Sequence, residues 1–142
     1  IPATRHRPKS RVLEAIVTEA TITLPLPPRE LSKNGRAPWP VRHRLYQEWR
    51  QTAAALWREA TGYTEPRWDG PVVVVVEWRF RGPEPDVSNV TARLDPIIDA
   101  AQDAGLIAND RQVEGFLVNR VRSREPQVVV TVRRVMRSEE AA

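Results

Sequence analysis

At 142 residues with no cysteine, the chain fits one domain with a buried core, and disulfides, thiolate zinc sites and cysteine nucleophiles are excluded. Its 22 basic residues outweigh 18 acidic ones for a formal charge of +4, and all but Lys9 and Lys33 are arginines, whose planar forks suit phosphate. The two histidines, His6 and His43, lie too far apart to suggest a histidine-rich metal site, and the longest apolar run, Val72 to Val76, is far short of the roughly twenty residues that cross a bilayer.

Residues 1–14 carry Arg5, Arg7, Lys9 and Arg11 without hydrophobic periodicity, and this predicts a basic flexible arm. A folded domain is expected over 15–136 and a frayed tail over 137–142. From Ile16 to Leu24 apolar and polar residues alternate as in a strand, which Pro25, Pro27 and Pro28 end. A turn-rich loop, Leu31 to Arg36, follows. Val41, Leu45, Trp49, Ala53, Leu56 and Ala60 then recur at helical spacing, with Pro40 at the first helical position and Gly62 just past the end. The outer face of this helix shows Arg42, Arg44, Arg50 and Arg58, either a solvated face or a lining for a DNA backbone; Trp49 and Trp57 are expected in the core.

Pro71 to Phe80 is a valine-rich strand, expected to be central in its sheet. It delivers the chain to the loop Arg81 to Asp86. A second helix follows, with Ser88 and Asn89 as candidate caps, an apolar face of Val90, Leu94, Ile97, Ile98, Ala101 and Ala104, and Gly105 at its end. Pro96 predicts a kink, or a restart with Asp95 as cap. Beyond Asp110, Val113 to Val121 and Gln127 to Val135 are expected to pair through the turn Arg122 to Pro126. The order is β-α-β-α-β-β, an α+β domain with two helices on a mixed sheet.

The acidic residues are not scattered evenly. Asp86, Asp95, Asp99, Asp103 and Asp110 stand against a single cation, Arg93, and the rest of the chain then holds 21 basic and 13 acidic residues. An acidic focus in a basic body suits metal-dependent chemistry on a polyanion, because carboxylates hold a hard cation while arginines hold phosphates. Asp86 at a strand end and Asp110 beyond a helix are expected to meet. Asp95, Asp99 and Asp103 share one helical face, where like charges cost about 0.2–0.5 kcal/mol per pair unless compensated. Surface acids and helix caps are the competing explanation.

Several segments carry a resemblance. Thr21 to Pro28, Ser32-Lys33-Asn34-Gly35-Arg36, Pro85-Asp86-Val87-Ser88-Asn89, Ile98-Asp99-Ala100, Asp103-Ala104-Gly105-Leu106 and Asn109-Asp110-Arg111-Gln112-Val113 together resemble, in order, the RusA family of Holliday junction resolvases over about residues 20 to 135. The resemblance implies a homodimeric, Mg²⁺-dependent endonuclease, with Mn²⁺ as a possible substitute, that nicks four-way DNA junctions symmetrically in the cytoplasm of a bacterium or phage-infected cell. The family's Asp-x-Asp-Asn motif falls on Asp86, Val87, Ser88 and Asn89, and its Asp-Asp motif on Asn109 and Asp110. This makes Asp86 and Asp110 metal ligands and Asp99, Ser88 and Asn89 further members of the catalytic set. Lys33, Asn34, Arg36, Arg93, Arg120 and Arg122 are candidate DNA contacts.

Two departures stand out. Ser88 replaces the family's second aspartate, and the family's lysine, due near Ala92 to Asp95, is absent. Asp95 or Asp99 would have to restore the lost negative charge, and Arg93 the positive one. The alternative is a catalytically impaired protein that binds branched DNA on the same fold; a third reading is a small interaction domain unrelated to DNA.

Overall fold

A computed structural model describes residues 18–62 and 68–136. The expected basic arm, the first residues of the first strand and the tail lie outside the described residues. The elements are β1 (Glu19–Leu24), α1 (Trp39–Ala60), β2 (Val72–Phe80), α2 (Val87–Asp103), β3 (Val113–Arg122) and β4 (Gln127–Arg134), with 3-10 turns at Arg29–Leu31 and Asp110–Gln112. Two helices cover one face of a four-stranded mixed sheet, in the expected order of elements.

Alternation shows which strand faces the helices cover. In β2 every second residue, Val72, Val74, Val76, Trp78 and Phe80, is buried, and in β4 Val128, Val130 and Val132 are. These side chains meet Trp57 and Ala53 of α1 and Val90, Leu94, Ile97 and Ala101 of α2 in one core. The Trp57 indole N–H donates to the Ile97 carbonyl at 3.0 Å, satisfying the one polar atom that this large side chain brings inside. Gly62 and Gly105 take φ of 70° and 78° just past the two helices, where a side chain would be strained.

Pro96 does not interrupt α2, which runs unbroken from Val87 to Asp103. Pro96 and its neighbours Leu94, Ile97, Ala100 and Ala101 are buried, so packing outweighs the missing ladder bond, and Asp95 caps nothing.

The sheet order corrects one expectation. It is β1-β4-β2-β3, so β3 and β4 do not pair: they flank β2 on opposite sides, β3 parallel to it and β4 antiparallel. The connector between them passes the end of β2, where the Ser123 N–H donates to the Phe80 carbonyl at 2.8 Å. The physical reason lies in the side chains. β4 buries Val128, Val130 and Val132 against the core, whereas no residue of β3 is buried, so the less buried strand takes the outer place beside β2. β3 therefore stands at the sheet edge with Phe116 and Leu117 exposed, the latter at 55 %.

Candidate active site

The site grows from the N-terminus of α2. Asp86 is its cap, in extended backbone conformation, and accepts the Asn89 backbone N–H at 2.9 Å. The same Oδ1 accepts the Ser88 hydroxyl at 2.9 Å, and Oδ2 accepts the Asn89 side-chain amide at 3.0 Å. The cap is therefore Asp86, not Ser88 or Asn89. These hydrogen bonds, from the Asn89 backbone first and Ser88 next, hold the Asp86 carboxyl below its usual range, with the charges of Arg120 and Lys33 adding to the effect. An exposed carboxylate favoured in its ionised form results.

Its bonding leaves coordinating capacity. Oδ1 is occupied by two donors, Oδ2 by one, and Ser88 must donate its only proton because a carboxylate only accepts. The lone pairs of Ser88 Oγ are thereby left free of that bond. An ionised oxygen and a neutral oxygen on one helical turn fit a hard divalent cation, but supply too few ligands for it alone. Among the described residues no cluster of three acidic or histidine side chains can hold a metal.

Around this turn lies a basic, partly apolar hollow of about 380 Å³ whose walls include Arg29, Ser32, Trp78, Pro85, Asn89 and Arg93. The side-chain oxygen of Asn89 is buried there without a hydrogen-bond partner. Arg93 is engaged within the fold. Its guanidinium stacks over Trp78 at 4.8 Å, donates to the Pro27 carbonyl through Nε at 2.9 Å and through a second nitrogen, and is half-buried. Arg120 donates to the Pro85 carbonyl at 2.9 Å, and Arg122 to the Gly82 carbonyl at 2.6 Å while stacking on Phe80, so both brace the loop that carries Asp86. Lys33, Asn34 and Arg36 are exposed on the loop across from it. Arg29, which lines the hollow, was not singled out from the sequence; its only signal was its place directly after Pro27-Pro28.

Asp110 lies elsewhere. It opens the 3-10 turn before β3, whose first residue Val113 pairs with Val72 at the beginning of β2, whereas Asp86 follows the end of β2. The whole of α2 separates them, 17 residues and hence about 25 Å. A strand-helix-strand unit returns the chain to the same edge but to the opposite end, so the expected meeting of Asp86 and Asp110 within one chain does not occur. Locally Asp110 is well placed: Asn109 accepts the Arg111 N–H at 2.8 Å, and Gln112 Oε1 accepts the N–H groups of Ala108 and Asn109 at 2.8 and 2.9 Å. Gln112 also donates to the carbonyls of Gly70, at 2.8 Å, and Trp68. The turn is thus stapled to the strand entrance while the Asp110 side chain stays exposed.

The remaining acids of α2 answer α1. Asp99 accepts the Tyr46 hydroxyl, and Asp103 binds Arg50 through two bonds, 2.5 and 2.8 Å. Burial and Asp99 push the Tyr46 phenol up to about 12, while Arg50 holds the Asp103 carboxyl down. Burial, then the Asp99 charge, pushes the Asp95 carboxyl up, although the residue is exposed and lines a second hollow. This ladder joins two helices. Asp99 lies thirteen residues along α2 from Asp86, about 20 Å away, and the structure does not bring it to the Asp86 turn.

No curated protein matches the chain. Residues 25–133 match the family described as endodeoxyribonuclease RusA, a span from the end of β1 to the end of β4 that contains the Asp86 turn, α2 and the Asp110 turn. The chain belongs to the RusA family of endodeoxyribonucleases, the Holliday junction resolvases.

Proposed function

We propose that the protein works as a homodimeric, Mg²⁺-dependent endonuclease that nicks four-way and related branched DNA symmetrically, each centre combining Asp86, Ser88 and Asn89 of one subunit with Asp110 of the partner subunit. The observation that carries this reading is the separation of the two aspartates to opposite ends of the β2-β3 pair. A two-fold axis through the edge of β3 would run the two β3 strands antiparallel, setting the Asp86 end of one subunit beside the Asp110 end of the other, twice over. The edge is suited to it: β3 is 10 residues long, carries no buried side chain, and exposes Phe116, Leu117 and Val121.

In such a centre Asp86 and the partner's Asp110 are the charged ligands and Ser88 Oγ a neutral one. A bound divalent ion supplies Lewis-acid activation of the phosphate and of water. The chain's own groups do the rest. The bonds from Asn89 and Ser88 favour the ionised form of Asp86 and hold it in place, and Lys33 is near enough for its charge to bear on Asp86. Arg29, Arg36 and the uncapped start of α1 offer charge to the phosphates beyond.

A second reading, binding without cleavage, is favoured by the engagement of Arg93 with Pro27 and Trp78, which leaves no α2 cation to replace the lysine. Cleavage of a labelled four-way junction with Mg²⁺ or Mn²⁺, beside an Asp110→Asn control and a linear duplex, separates the two. Paired nicks in the junction alone, lost in the control, support the nuclease; tight junction binding without nicks under either metal supports the second reading.

A further inference from the structure

The most exposed large hydrophobic side chain among the described residues is not on β3 but at the start of α1: Trp39, 72 % exposed. A tryptophan so placed contributes little to the fold through burial. Yet it is held firmly. Pro38 and Pro40 flank it, Pro38 in extended conformation and Pro40 inside the first helical turn, and one face of the indole is stacked on His43 with ring centroids 4.9 Å apart and planes 13° from parallel. The other face is open.

Beside it lies a hollow of about 390 Å³ lined by Trp39, Arg42, His43 and Tyr46 of α1 and by Asp95 of α2. That volume admits one planar heterocycle. Arg42 is fixed by the carbonyls of Ser32 and Gly35, both at 3.4 Å, and the loop it anchors carries the exposed Lys33 and Arg36. Lys33 is close enough for its charge to bear on Asp86. The loop therefore forms a continuous basic path from the Asp86 turn to the Trp39 ring. The first turn of α1 adds no acid to oppose an approaching phosphate.

We propose that Trp39 is a stacking platform for an unpaired nucleobase of the branched DNA, taken from the strand whose backbone runs over Lys33 and Arg36 toward Asp86. This rests on the branched-DNA reading above. An aromatic ring open on one face, with cations along the backbone path, is the arrangement by which single-stranded nucleotides are held without regard to sequence. Asp95 also lines the hollow and can accept an exocyclic amino group of cytosine, adenine or guanine. Base pairs in a continuous duplex present no free ring face, so the platform would favour junctions and frayed ends over linear DNA.

The test uses full-length protein in EDTA, to prevent cleavage, with synthetic four-way junctions carrying 2-aminopurine at each crossover nucleotide in turn. Anisotropy reports binding and 2-aminopurine fluorescence reports stacking. For at least one crossover position the wild-type protein should quench the fluorescence on binding. Trp39→Ala should abolish that quenching and weaken junction binding about five- to a hundredfold, the range contributed by one stacked base, with linear-duplex affinity unchanged. Trp39→Phe should restore part of both. If Trp39→Ala binds the junction as the wild type does, with the same fluorescence, the platform is refuted while the branched-DNA reading stands. A wild-type protein that shows no preference for junctions over duplex would overturn both.

Discussion

Mixing two inactive variants should restore a defined fraction of activity. Asp86 and Asp110 stand about 25 Å apart in one chain, the length of α2, whereas ligands of one cation lie within a few ångströms of each other. If each centre draws Asp86 from one subunit and Asp110 from the other, Asp86→Asn and Asp110→Asn homodimers are both dead. A heterodimer of the two has one centre lacking both aspartates and one with both intact. Equal amounts exchanged to equilibrium give half heterodimers, hence about one quarter of the wild-type centres, never two in one dimer. The assay is nicking of a four-way junction after co-refolding the variants, read separately as single nicks and as paired cuts. About a quarter of the wild-type nicking rate, with paired cuts almost absent, is the expected result. A mixture as inactive as its components, from samples in which heterodimers are demonstrated by mass, would refute the shared centre, because centres confined to one chain cannot be complemented.

Ser88→Ala removes a donor from Asp86 Oδ1, so the Asp86 carboxyl should titrate closer to the ordinary aspartate range, followed by carboxyl carbon NMR, and Mg²⁺ should bind more weakly. Gln112→Ala removes the side-chain bonds to the Ala108 and Asn109 N–H groups and to two carbonyls, most of them exposed to water; a loss of roughly 0.5–1.5 kcal/mol in urea unfolding is expected, together with reduced cleavage as Asp110 loses its mounting. Arg50→Ala should cost about 0.5–1 kcal/mol at neutral pH, the pair being one-third exposed. Because the folded state depresses the Asp103 carboxyl, that contribution is present above the ordinary aspartate range and fades as pH falls through the folded value, so wild type and variant should converge in acid melts. Leu94→Ala, at a fully buried position, should cost about 3 kcal/mol without altering the salt dependence of DNA binding.

Periodicity made both helices and the central place of β2 legible in the sequence, because an amphipathic pattern is fixed by which face must be covered. Strand partnership was not. A short connector after Arg122 suggests a hairpin, but β2 has two edges to fill, and β3 and β4 take one each. The acids of α2 divided in the same way. Asp86 was identifiable from Pro85-Asp86-Val87-Ser88-Asn89, and its role as cap agrees with that local pattern. The engagement of Asp99 and Asp103 depended on Tyr46 and Arg50, more than fifty residues away in sequence, and no spacing within α2 could reveal it. Arg93 likewise pairs with a carbonyl 66 positions distant. The separation of Asp86 from Asp110 followed from the parallel pairing of β2 with β3, since a helix between parallel strands must carry the chain from one end of the sheet to the other.

The position of β4 also orders events during synthesis. Its neighbours are β1 and β2, and Glu19 pairs with Arg133 across 114 positions, with a 2.9 Å bond between their side chains. Until the ribosome has released nearly the whole domain, β1 has no partner and one edge of the valine-rich β2 is bare. Sheet closure is then necessarily late and dominated by distant pairings, the circumstance that slows folding and exposes strands to mispairing. Closure also brings Thr18 and Arg134 into contact through a 2.8 Å backbone bond, so the two ends of the described fold lie side by side. A short linker joining them, with new ends opened in the exposed turn Arg124–Pro126, would place β4 at the start of the chain, beside β1 from the outset, and should shorten the interval during which β2 is uncovered.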